Sequence, residues 1–208
     1  MYADLKKRCI TEIEQGVCTV KIVLTKLLRL HQLVCGHLRD DDGVGHEVPS
    51  NRVTALLEVL EETSGQVIVW ATYRDDIVDI EAALKKEYGP DSTVSYYGDT
   101  DEEHRALAQT AFKRGSGSSV RFLVSNPATG GFGVNLTGAE TVVYYSNNFD
   151  AERRNQSEDR CHRIGQTHSV TYIDLVAKGT VDEKILDTLK NKKSVSDLIT
   201  ASNWRDFL

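Results

Sequence analysis

With 208 residues, 40% of them hydrophobic and 27% charged, the chain has the make-up of an ordinary globule, long enough for one α/β domain with an extension. A formal net charge of −6 excludes a broad, non-specific nucleic-acid surface, so any phosphate contact must be local. Cys9, Cys18, Cys35 and Cys161 have neither framework spacing nor a C-x-x-C pair, and no apolar run approaches the ~20 residues of a membrane span. A reducing compartment and no membrane are expected: cytoplasm, or nucleus in a eukaryote.

Residues 1–64 read as a helical extension. "TVKIVLTKLLRLHQLVCGHL" carries apolar residues at helical spacing, and "RDDDGVGHEVPSN" breaks it, with the charge run Asp40–Asp42 expected as a solvated loop. Ser50 or Asn51 is placed to cap the next helix, "RVTALLEVLEET". His31, Cys35 and His37 lack the four-ligand pattern of zinc and are expected in a core or surface role, so no metal site is assigned.

From residue 65 to 208 the grammar changes to a second domain. Short β-rich runs at 67–71, 93–98, 120–126, 141–146 and 170–176 alternate with amphipathic helices at 75–88, 101–114 and 151–164. Such alternation predicts an α/β fold, a mostly parallel sheet with helices on both faces. A last helix begins at "TVDE", where Thr180 and Glu183 form a capping box. "DEEH" at 101–104 spells a magnesium-binding box. It follows a turn and opens a helical pattern, however, so its acids are expected to serve the helix dipole, with Asp99 or Thr100 as cap.

Two segments carry chemistry. "SNPATGGFGVN" places three glycines beyond a strand, where backbone N–H groups can form an anion nest. It is not a dinucleotide fingerprint, because Leu136 stands where the third glycine belongs. "QSEDRCHRIGQ" sets Gln156, Arg160 and Arg163 within about 60° on one helix face. Ion pairs Asp159–Arg163 and Glu158–His162 would make it a surface helix, but they do not explain two converging guanidiniums. Such a pair fits the oxygens of a phosphate. The chain has no G-x-x-x-x-G-K-[ST] loop, so the cradle for that phosphate must lie elsewhere.

Together these segments resemble the second RecA-like lobe of superfamily 2 helicases of the Swi/Snf type. "QSEDRCHRIGQ" is similar to motif VI of that family at every fixed position, and "SNPATGGFGVNLTGAETVVYYSNNFD" to motif V. "VIVWATYRDDI" resembles motif IV, and "YYGDTDEEHRALAQTAFK" the following segment, with Gly98, Arg105 and Phe112 in register. Motif V departs from the common pattern by an extra residue, a proline, and the loss of a basic side chain, which suggests phage or bacterial relatives. The resemblance implies Arg160 and Arg163 as arginine fingers, with Gln156 supporting them or orienting water. Gly131, Gly133 and Asn135 would link the nucleotide cleft to the DNA track, and Thr72, Tyr73, Gly98, Thr129 and Gly130 would lie along the nucleic-acid backbone. It further implies ATP and Mg2+ held mainly by a first RecA-like lobe, duplex DNA bound without regard to sequence, and a lobe inactive alone. A non-catalytic clamp module and a Rossmann-type metabolic enzyme are the alternatives.

Overall fold

The computed structural model describes residues 1–15, 20–39, 42–98, 102–113, 117–129, 136–161 and 169–191. In chain order these form α1 (Tyr2–Gln15), α2 (Val20–Cys35), β1 (His37–Arg39), β2 (Gly45–Glu47), α3 (Arg52–Glu61), β3 (Gln66–Trp70) and α4 (Arg74–Tyr88). After a 3-10 turn at Pro90–Ser92 come β4 (Thr93–Tyr96), α5 (Glu102–Ala111), β5 (Phe122–Ser125), β6 (Ala139–Tyr144), α6 (Ala151–Cys161), β7 (Thr171–Asp174) and α7 (Val181–Asn191). They divide into two compact units, one of Met1–Ser50, Phe149–Ala151 and Val176–Leu208, the other of Asn51–Asn148 and Glu152–Leu175.

The second unit is built on a five-stranded sheet in the order β4-β5-β3-β6-β7, every pair parallel. Helices cover both faces, so the inner strands are apolar at consecutive positions rather than alternating. Val67, Val69 and Ala71 point to one face, under Leu56 and Leu60 of α3 and Ile77, Ile80 and Leu84 of α4. Ile68 and Trp70 point to the other, with Ala108 and Ala111 of α5, Phe112, and Cys161 of α6. Each valine, leucine or isoleucine among them contributes about 1.5–3 kcal/mol by leaving water. The α/β fold expected from the strand–helix alternation is therefore present, with the sheet wholly parallel. Gly89, at φ 99°, ends α4 and donates its N–H to Lys85 O at 3.0 Å. "DEEH" lies on α5 rather than on a strand, as far as the described residues reach; the capping positions 99 and 100 lie outside them.

In the first unit α1, α2 and α7 share a core of Cys9, Val23, Leu27, Leu30, Val181 and Ile185. His31 and Cys35 are interior, and His31 Nε2 lies 3.5 Å from Asp182 Oδ1. Tyr2 Oη accepts the Val181 N–H at 2.8 Å.

Two local expectations are corrected, and the break after α2 holds a hairpin that was not expected. β1 and β2 pair antiparallel with His37 opposite Glu47, while residues 40 and 41 of the charge run lie outside the described residues. α3 starts without a side-chain cap: Asn51 has ψ 12°, outside the extended region that turns a capping side chain inward, and Ser50 Oγ donates to Val34 O instead. The acid that reaches back at the start of α7 is Asp182, not Glu183. Its carboxylate accepts the Ala177 N–H at 2.9 Å, while Thr180 Oγ1 accepts the Asp182 N–H at 3.3 Å.

Candidate nucleotide and nucleic-acid interface

The sheet register aligns Tyr96, Ser125, Trp70, Tyr144 and Asp174 as one row at the carboxyl ends of the five strands. Open α/β sheets bind ligands beyond such a row. Every described residue of the expected site lies just past it or on the helices that abut it.

Thr72 and Tyr73 follow β3, and their loop is tied to the segments after β6 and β5. Thr72 N–H donates to Ser146 Oγ at 2.8 Å, Thr72 Oγ1 donates to Ser146 O at 3.0 Å, and Ser146 Oγ donates to the buried Asp76 Oδ2 at 2.8 Å. From the other side Asn126 Nδ2 donates to Thr72 O at 2.7 Å. Asn126 Oδ1 accepts the Ala128 N–H at 2.8 Å, and Asn126 O accepts the Thr129 N–H at 3.1 Å. Gly98 is exposed, and a Cβ built on it would meet no atom within 4 Å, so its backbone is open to a ligand. Its carbonyl accepts Arg105 Nη2 at 3.1 Å, while that guanidinium lies over the Tyr96 ring at 5.6 Å. Two residues that the sequence pairs in register thus meet, and the third, Phe112, is fully buried.

α6 carries residues 156–161 of the "QSEDRCHRIGQ" segment; the remainder lies outside the described residues. The helix has almost no apolar face: Ser157, Arg160 and Cys161 are the residues it buries. What secures it is polar. Tyr144 Oη and Ser157 Oγ share a hydrogen bond of 2.6 Å, and burial pushes the Tyr144 hydroxyl far above its ordinary value and the Cys161 thiol up to about 12. Arg154 stacks 3.4 Å over the Tyr144 ring and forks onto Asp174, with 2.5 Å from Nη1 to Oδ1 and 3.3 Å from Nη2 to Oδ2. Its Nε reaches Glu158 Oε1 at 2.6 Å. Glu158 therefore pairs one turn back, toward Arg154; the expected partner His162 lies outside the described residues.

Arg160 is 8% exposed and sits under the strand-end row, with Nη1 3.5 Å from Pro127 O and the guanidinium 5.9 Å from the Trp70 ring centroid. Among the described residues no carboxylate pairs with it. Burial lowers its pKa from the ordinary arginine value, although the group stays cationic at neutral pH. Gln156 faces elsewhere: it is exposed, and its Nε2 donates to Glu152 Oε1 at 3.1 Å, so the structure does not bring it onto Arg160. Arg163, Gly130, Gly131, Gly133 and Asn135 lie outside the described residues. The sequence reading missed Asn126, Ser146, Asp76 and Arg154. An asparagine directly after a strand and before proline was the one available signal, since Asx side chains fold back on the next amides.

No helix among the described residues is long and apolar enough to cross a membrane. Residues 51–165 match the helicase conserved C-terminal domain family. Helicase domino of Drosophila melanogaster is 31% identical over 170 residues, covering 82% of this chain and 5% of that protein. The chromatin-remodeling ATPase INO80 of Mycosarcoma maydis is 44% identical over 81 residues, 39% of this chain and 4% of that protein. The Sulfolobus solfataricus SWI2/SNF2 ATPase core solved in complex with dsDNA superposes with a TM-score of 0.71 at 25% identity, covering 100% of this chain and 43% of that one. This chain therefore spans 4–5% of the length of these two curated relatives and less than half of the archaeal core. The match to the family profile and the parallel sheet agree with the motif reading: the chain belongs to the helicase conserved C-terminal domain family, as a RecA-like C-terminal lobe of the SNF2 type.

Proposed function

We propose that this lobe is the second half of an ATP-dependent DNA translocase, supplying Arg160 and Arg163 as arginine fingers to ATP and Mg2+ held mainly by a first lobe. One observation carries the reading: a nearly buried guanidinium at the carboxyl end of a parallel sheet, with no carboxylate partner among the described residues and a single 3.5 Å carbonyl contact. Burying a cation without a counter-charge is costly, so the arrangement fits a site whose anion arrives from outside. The terminal phosphate of ATP is an anion of the right chemistry, and bound ATP with Mg2+ supplies the bond to be hydrolysed. Arg160 would neutralise charge developing on that phosphate, a role worth about 10³–10⁵ in rate. Arg163, three positions further along the sequence, would complete the pair, and Gly131, Gly133 and Asn135 would connect it with the DNA track. Gln156 would have to leave Glu152 to join them.

The DNA track would run along the loops past β3, β4 and β5, through Thr72, Tyr73, Gly98, Thr129 and Gly130. Thr72 spends its N–H and its hydroxyl proton on Ser146, so in this reading it anchors the loop while neighbouring backbone meets phosphates. Contacts of that kind position without reading sequence. Residues 1–64 would lead in from the first lobe. The test is Arg160→Ala in the protein carrying both lobes: ATP turnover should fall about a thousandfold or more while ATP affinity stays within a few-fold. Turnover at the parent's level would exclude the finger role.

A further inference from the structure

Motif V of this chain lacks the basic residue and carries an extra proline, Pro127, after Asn126, whose side chain is hydrogen-bonded at both ends. We propose that Asn126 is a positioning residue that couples the loop after β3 to Arg160, so that occupancy of the DNA track sets the finger. The proposal rests on the reading of Arg160 given above.

Asn126 is half-buried at the first position past β5, and both ends of its amide are used. Nδ2 donates to Thr72 O at 2.7 Å, across the sheet, while Oδ1 accepts the Ala128 N–H at 2.8 Å and folds the chain around Pro127. Proline fixes its own φ, so the turn has little freedom left. The Pro127 carbonyl is the one that Arg160 Nη1 faces at 3.5 Å. On the far side the Thr72 peptide is gripped by Ser146, itself held by the buried Asp76. A shift of residues 72 and 73 therefore reaches the Pro127 carbonyl that faces Arg160 through one side-chain amide. A donor and an acceptor at that reach are what asparagine supplies; glutamine is one methylene longer, and aspartate lacks the donor.

Asn126→Asp keeps the turn to Ala128 and loses the bridge to Thr72, whereas Asn126→Ala loses both. In the protein carrying both lobes, ATP turnover is measured with and without duplex DNA, alongside the melting midpoint and an Arg160→Ala control. Both Asn126 variants should lower the ratio of DNA-stimulated to basal turnover about three- to tenfold, the effect of one neutral hydrogen bond on a rate, with the melting midpoint near that of the parent. An unchanged ratio, or stimulated and basal turnover falling in parallel with the midpoint, overturns the inference and leaves Asn126 a support of the fold. If Arg160→Ala abolishes turnover while the Asn126 variants keep a normal ratio, only the coupling fails. If Arg160→Ala retains turnover, the finger reading fails with it.

Discussion

Arg154 and Arg160 lie on the same helix and use their charge in opposite ways. Arg154 is neutralised where it stands, by Asp174 and Glu158, and stacks on Tyr144; Arg160 is buried against a carbonyl and an indole. The first arrangement holds α6 to the sheet, and the second leaves a cation to be satisfied. The same helix is lined by weak acids kept protonated. Burial raises Cys161 from 9.0 and Tyr172 from 10.0 to about 12, and Tyr144 further. Each stays protonated in the fold at a pH where the unfolded chain gives its proton up. The stability that they contribute is complete below about pH 9 and is lost as pH rises toward 12. Urea midpoints should hold steady from pH 7 to about 8.5 and then fall on alkaline titration. A midpoint that rises above pH 9 would contradict the buried, neutral Tyr144 and Cys161.

At the scale of elements, the sheet is fixed by apolar runs and its joints by single polar residues. Arg121 closes the carboxyl end of α3, donating to Thr63 O at 2.6 Å and Leu60 O at 3.1 Å, and Arg52 reaches Tyr145 O at 2.7 Å and Leu175 O at 2.8 Å. The entry to β6 is tighter still. A Cβ at Gly138 would lie 2.5 Å from Gln66 Oε1 and 2.8 Å from Phe112 O, while Gln66 is itself held by Ala111 O and Val120 O at 2.9 Å. Gly138→Ala should destabilise the lobe by about 1–3 kcal/mol in chemical denaturation. Gly45→Ala, with nothing within 4 Å, should stay within about 0.5 kcal/mol. Equal effects at the two positions would mean that the β6 entry relaxes freely. The hairpin of β1 and β2 was hidden from sequence because three-residue strands "HLR" and "GHE" carry no alternation to detect, and β2 is exposed throughout.

At the scale of the whole molecule, the split-site reading proposed above predicts a lobe that is silent alone. The isolated 208-residue chain is expected to hydrolyse no ATP above the uncatalysed background, with or without duplex DNA, and adding a separately prepared first lobe should restore turnover. Robust, magnesium-dependent turnover by this chain alone would end the split-site reading. By itself the sequence determined the parallel sheet covered on both faces, because apolar runs bounded by helical periodicity leave few other ways to bury them, and it marked the motif VI arginines by their spacing. Only the tertiary structure decided that α3 lies on that sheet, that Gln156 turns to Glu152, and that Asn126, Thr72, Ser146 and Asp76 form one network. That network joins residues as much as 74 positions apart, and it exists only once the strand order β4-β5-β3-β6-β7 brings the strand ends into one row.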